Sequence, residues 1–315
     1  MMTTLIARRI GVAALTLLLV SVIVFSITAL LPGDAAQAAL GQSATAETVA
    51  ALRTQLGLDQ PAYLRYLHWL LGLLSGNPGQ SLANNVPVGE LIAQRLPKSL
   101  WLAAAAAAIS VPLALSIGIL SAMYRGSTLD RALNIATLAM IAVPEFFVAT
   151  VAVLIFAVKL HWLSALSYVP DHPSLGQFLR AYAMPTMTLS FVIVAQMARM
   201  TRAAVIDQVN QSYVEMAILK GASPARVVLA HALPNAVGPI ANAVALSLSY
   251  LLGGAIIVET IFNYPGIASL MVDAVTNRDM PLLQACAMIF CCAYLVLVLL
   301  ADVCAIVSNP KLRGR

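Results

Sequence analysis

Apolar residues fall into six long blocks along the chain, at about Ile10–Leu31, Ser99–Met123, Ala132–Val158, Met184–Ile206, Ala236–Val258 and Leu282–Val307. Each approaches or exceeds the roughly 20 residues with which a helix crosses the hydrocarbon core of a bilayer. The pattern predicts an all-α membrane protein with six transmembrane helices. The longest interval between blocks runs from Pro32 to Pro97 and is itself patterned for helix. Val49, Leu52 and Leu56, then Tyr63, Tyr66, Leu67, Leu70, Leu71 and Leu74, recur at helical spacing. Thr45 is placed to cap the first of these helices and Gly57 to end it. Both read as amphipathic helices lying at the membrane surface. The chain thus divides into residues 1–97, a first span with this helical segment, and residues 98–315, a five-helix core.

One polar interval has a different character. Ser212–Asn235 lies between the fourth and fifth blocks and carries the signals of two short helices. Ser212 and, three residues on, Glu215 form the pattern of a capping box. Gly221 offers the permissive backbone that ends a helix. Ser223 is suited to cap a second helix with Pro224 as its first residue, where the missing N–H costs nothing. Pro234 would close that helix about ten residues later. The loop, residues 206–235 in full, is expected to be a helix-turn-helix outside the bilayer.

Composition agrees with a membrane setting. Of 315 residues, 61% are hydrophobic and 10% charged, against about a quarter charged in soluble domains. Basic residues near span ends accumulate on the cytoplasmic side. With the N-terminus inside, that side receives Arg8, Arg9, Arg125, Arg131, Arg199, Arg202, Lys220, Arg226, Lys311, Arg313 and Arg315. The outside receives Arg53, Arg65, Arg95, Lys98, Lys159, Arg180 and Arg278, the first four in the long segment that the rule weighs little. Both termini and the helix-turn-helix are therefore expected in the cytoplasm, and the 32–97 segment outside. The net charge of +5 is scattered over short loops, which argues against nucleic acid as a partner. Cys286, Cys291, Cys292 and Cys304 all lie in the last block and read as small apolar filler. The first block, at roughly 22 residues, is longer than the 7–15 of a cleavable signal core, so an uncleaved first helix is expected.

Candidate chemistry is sparse. No Gly-x-x-x-x-Gly-Lys-Ser/Thr loop is present, and Gly253-Gly254 lies within an apolar block with no Lys after it, so ATP is expected to be handled elsewhere. Gly-x-Ser-x-Gly and His-Glu-x-x-His are also missing, leaving no case for hydrolysis by this chain. Glu145, just after Pro144, is the one ionisable residue between Arg131 and Lys159. A carboxylate near the middle of a span costs about 2.5–3.5 kcal/mol on insertion scales and usually faces a cavity or a partner. It is a candidate for a translocation path. His68, His161, His172 and His231 give weak support to metal handling, the first three lying on the outer side where loop histidines are usually solvated, and Met184, Met187, Met197 and Met200 read as packing.

The loop resembles that of permease subunits of ATP-binding-cassette importers, which reads Glu-Ala-Ala, three residues, Gly, nine residues, Ile, one residue, Leu-Pro. Glu215, Ala217, Gly221, Leu233 and Pro234 stand at those places, with Met216 and His231 departing from the pattern. His231-Ala232-Leu233 is similar to the dipeptide, oligopeptide and nickel branch. So are Leu56 to Pro61, Arg65-Tyr66 and Trp69-Leu70, Gly76 to Ser81 with Asn77 and Pro78 departing from the pattern, Val258 to Phe262, Pro265-Gly266 and Asn277 to Pro281. The resemblance implies a bacterial inner-membrane importer that moves dipeptides or oligopeptides by alternating access, or nickel, glutathione or opines by the same machinery. It implies a homologous second permease, two cytoplasmic ATPases that bind ATP and Mg, and an external or periplasmic solute-binding protein. Tyr213, Glu215, Ala217, Lys220 and Gly221 would then contact the ATPase, and Pro224, Leu233 and Pro234 would fix the return into the fifth span. An ion-coupled secondary transporter is the rival class, opposed by the helix-turn-helix and by the lack of an internal repeat.

Overall fold

The computed structural model describes residues 2–30, 45–55, 59–167 and 174–308. Its helices are α1 (Met2–Leu30), α2 (Ala46–Gln55), α3 (Ala62–Leu74), α4 (Val88–Met123), α5 (Thr128–Ala142), α6 (Glu145–Lys159), α7 (Leu175–Val209), α8 (Ser212–Leu219), α9 (Pro224–Ile261), α10 (Ile267–Thr276) and α11 (Met280–Ser308). Among the described residues no strand forms beyond one isolated bridge, Gln80 to Pro87. Helices α1, α4, α7, α9 and α11 are long and apolar enough to cross a membrane, and α5 with α6 makes a sixth if the bent pair is one span.

That bend corrects the expectation of one uninterrupted third helix. The chain turns by 93° between α5 and α6. Val143 (φ −88°, ψ 124°) and Pro144 (φ −62°, ψ 141°) are both extended. The proline ring excludes the residue before it from the α region, and Pro144 has no N–H with which to continue the ladder. Pro112, Pro185 and Pro239, by contrast, lie inside continuous helices. Helix α4 also starts at Val88 and runs through Pro97, so the helix reaches well before the apolar block at Ser99. Thr45 does cap α2, accepting from the Thr48 N–H at 3.2 Å. Gly57, His172, Lys311, Arg313 and Arg315 lie outside the described residues.

Two compact units are present. The larger holds residues 1–11, 101–264 and 294–315. In it α7 packs against α5, α6 and α9, around a core of Leu102, Ala106, Met184, Leu189, Met197, Leu251 and Phe262. Met184 and Met197 are fully buried, while Met187 is exposed. Gly118 marks a close approach of α4 to α7: a Cβ there would stand 2.6 Å from the Ala198 carbonyl oxygen and 2.7 Å from the Thr201 Cβ. The other unit holds residues 12–100 and 265–293. Val88, Ile267, Leu270, Leu282 and Cys286 form its core. In it α3 packs on α1 through Tyr66 and Trp69 against Phe25, with a 2.8 Å hydrogen bond between the Ser21 and Tyr66 hydroxyls. Ser81 donates to the fully buried Asp279 carboxylate.

Candidate functional site

The polar loop forms two turns of helix, α8, between α7 and α9. Its start differs from the expected capping box. Gln211, extended at φ −83° and ψ 146°, is the N-cap, and Ser212 is already the first helical residue with no side-chain cap bond. A cap is defined by where the backbone leaves the extended region, and here that happens one residue earlier than the serine suggests. Its end is as expected. Gly221 has φ +79°, the Ala222 N–H donates to the Ala217 carbonyl at 3.1 Å, and the Gly221 N–H donates to the Ile218 carbonyl at 2.9 Å. These two bonds make a Schellman motif, which selects glycine at the left-handed position. Ser223 then caps the next helix, accepting from the Arg226 N–H at 3.4 Å, with Pro224 as its first residue.

Pro234 does not close that helix. From Pro224 the helix passes through a π-helical stretch, Val227–Ala232, and continues past Pro234 to Ile261. The wider π turn relieves the clash that a proline ring makes with the preceding turn, and the Asn235 side chain donates to the His231 carbonyl at 3.2 Å. The loop thus feeds directly into a membrane-length helix.

Val214 is fully buried and anchors α8 from behind. Tyr213, Glu215, Lys220, Gly221, Pro224 and Pro234 are exposed, and Ala217 and Leu233 are half-buried. Tyr213 donates to Gln208 Oε1 of α7 at 3.0 Å. Met216 is 55% and Leu219 75% exposed. With Tyr213 and Ile218 they give α8 an apolar outer surface, which a motif with alanine at the place of Met216 does not announce. Two apolar residues three positions apart in a polar loop are its signal in the sequence.

Glu145 sits at the first residue of α6, just past the bend, and not inside a continuous span. Its carboxylate lies against bare backbone of α9: a Cβ on Gly254 would come within 2.5 Å of Oε1 and 2.8 Å of Oε2. Gly253 beside it has open space where a side chain would go. Among the described residues the carboxylate has no hydrogen-bond or ion-pair partner, and it is half-buried. The loop end at Pro224 and the Gly254 contact of Glu145 lie at separate places along α9, about 30 residues apart.

A third polar feature goes unannounced by the hydrophobic pattern. Asp130 of α5 is buried and receives both Arg202 Nε and Nη2 of α7 at 2.9 Å. Its signal in the sequence is an arginine inside an apolar block, but 72 residues separate the two partners.

These features define a multi-span helical membrane protein with an exposed loop that carries an apolar outer surface. Residues 114–314 match the family described as binding-protein-dependent transport system inner membrane component, and residues 1–103 match its N-terminal counterpart. The chain is 34% identical over 308 residues to a Sinorhizobium fredii protein named probable peptide ABC transporter permease, covering 98% of each chain. It is 35% identical over 314 residues to the glutathione transport system permease protein GsiC of Escherichia coli, covering 99% of each. The GsiC of Salmonella typhi is 36% identical over 299 residues, with 95% of each chain covered. The chain belongs to the binding-protein-dependent transport system inner membrane component family. It is a multi-pass inner-membrane permease subunit of an ATP-driven importer, with ATPase and substrate-binding partners, and is not itself the catalytic subunit.

Proposed function

We propose that this permease imports short peptides and that α8 is the element through which ATP hydrolysis drives it. The observation that carries the reading is the apolar outer surface of α8, anchored by Val214 and closed by the Gly221 turn, at the head of a helix running unbroken to Ile261. Isolated two-turn helices are marginal in water, and large apolar side chains left exposed on one mark a docking surface. Tyr213, Glu215, Ala217, Lys220 and Gly221 contact or brace an ATPase subunit, while Pro224, Leu233 and Pro234 fix the return into α9. In this reading the termini and loop are cytoplasmic, which agrees with the distribution of Lys and Arg. Two ATPases, which bind ATP and Mg, serve a pair of homologous permeases, and an external solute-binding protein delivers cargo. Cargo passes between the two permeases by alternating access. The peptide and glutathione names of the relatives support a peptide cargo.

Glu145 lines the path and receives a cationic group of the cargo, such as a peptide's amino terminus. What supports this is a carboxylate without a partner among the described residues, at a helix break, resting on Gly254 with open space beside Gly253. The test of the whole reading is purification of the tagged chain from membranes in mild detergent. Recovery of an ATPase and a second permease is the expected result. A stable isolated chain that catalyses ion-coupled uptake overturns it.

A further inference from the structure

The carboxylate of Asp130 gathers donors from three helices and one loop. Arg202 of α7 grips it in two-pronged fashion, Nε on Oδ1 and Nη2 on Oδ2, both at 2.9 Å. Ser121 of α4 donates to Oδ1, as does Asn134 of α5, one turn on, at 2.6 Å. The Gly126 N–H, in the turn between α4 and α5, donates to Oδ2 at 2.9 Å. Gly126 has φ +82°, a conformation that costs glycine little. The Ser121 oxygen in turn accepts from Arg202 Nε at 3.0 Å and Asn134 at 3.3 Å. Planar guanidinium and carboxylate fix distance and angle together. α4, α5 and α7 are therefore pinned at one point.

One turn further along α4 the packing permits no sliding either. Gly118 lets α4 lie on α7 backbone to backbone, with no space for a methyl group between them. Towards the loop, Arg125 Nη1 donates to Asn210 Oδ1 at 3.2 Å, and Tyr213 of α8 is tied to Gln208. Arg202 stands seven residues before the end of α7, about 10 Å from the loop at helical rise. A buried ion pair is a weak source of stability compared with apolar residues of the same volume, and its best-attested use is to impose one geometry on its neighbours.

We infer that Asp130 and Arg202 are positioning residues for ATP coupling. Their ion pair makes α4, α5 and α7 one block at the end that bears α8, so a displacement of α8 carries the block as a whole instead of bending α7. The inference rests on the reading that α8 docks on the ATPase.

The test uses the complete complex of permeases, ATPases and binding protein in nanodiscs, with spin labels at Ser212→Cys on α8 and Ile135→Cys on α5. Both positions are exposed, and the four native cysteines are replaced by alanine. Distances are read by double electron–electron resonance without nucleotide and after vanadate trapping with ATP. With Asp130 and Arg202 intact, one narrow distance should persist in both states. In Asp130→Asn, trapping should broaden or shift it, and the stimulation of ATP hydrolysis by the binding protein should fall about fivefold or more, the lower range of site-to-site coupling. Arg202→Lys keeps the charge but not the fork and should show the same change, which carries the test if Asp130→Asn does not assemble. Assembled variants that retain the narrow distance and full stimulation overturn the inference. A label at 212 whose mobility is unaffected by the ATPases would instead refute the docking of α8, and the inference with it.

Discussion

Gly221 and Gly254 are both glycines for lack of a side chain, yet for different reasons. At Gly221 the backbone is left-handed and nothing lies within 4 Å of the place a Cβ would take, so conformation alone selects it. At Gly254 the backbone is ordinary helix and the Glu145 carboxylate occupies the place of a Cβ. Gly221→Asp adds about 1 kcal/mol or more of backbone strain and a charge at the rim of the α8 surface. Insertion and yield of this variant should be normal, and the ATPase should no longer co-purify. Normal transport by a well-expressed Gly221→Asp protein would count against α8 as the coupling element. Glu145→Gln keeps the shape and removes the charge. Uptake of peptides with a free amino terminus should fall about tenfold or more, as for loss of a hydrogen bond to a charged group. Unchanged uptake of every cargo would remove Glu145 from the path.

At the scale of helices, close approach decides which substitutions are tolerated. Gly118→Leu would drive a side chain into the Ala198 carbonyl and Thr201. Overpacking of this kind costs about 1–3 kcal/mol where neighbours can move, and backbone cannot give way as a side chain does. The variant should show a lower thermal unfolding midpoint in detergent, whereas substitution of Gly11, which has open space around it, should not. The helices themselves are legible in the sequence because spanning is a matter of composition over some 20 residues. Gly221, Ser223 and Pro224 are legible because each meets a local backbone demand. Less legible are the points where neighbours arbitrate. Pro144 breaks its helix while Pro112 does not, although both stand in apolar blocks. Pro234 ends nothing because a π turn precedes it. The Asp130 network depends on residues brought together from three helices, and no local pattern announces such a meeting.

For the molecule as a whole, α1 and α11 have only 6% of their apolar windows buried, against 56% for α7. Their apolar surfaces suit the lipid of the bilayer that helices of this length cross. Helix α9 links the loop to the contact of Glu145. It spans 38 residues from Pro224 to Ile261, about 57 Å at helical rise. Gly254, where Glu145 rests, lies 30 residues from the loop end, or about 45 Å along the axis. A rod of that length magnifies rotation: a tilt of about 5° swings its far part sideways by ~4 Å, comparable to the width of a methylene chain. On the proposed reading of α8 as the driven element and Glu145 as part of the path, a slight pivot imposed at the loop is enough to open or shut a passage at the level of Glu145, with no helix having to melt or slide.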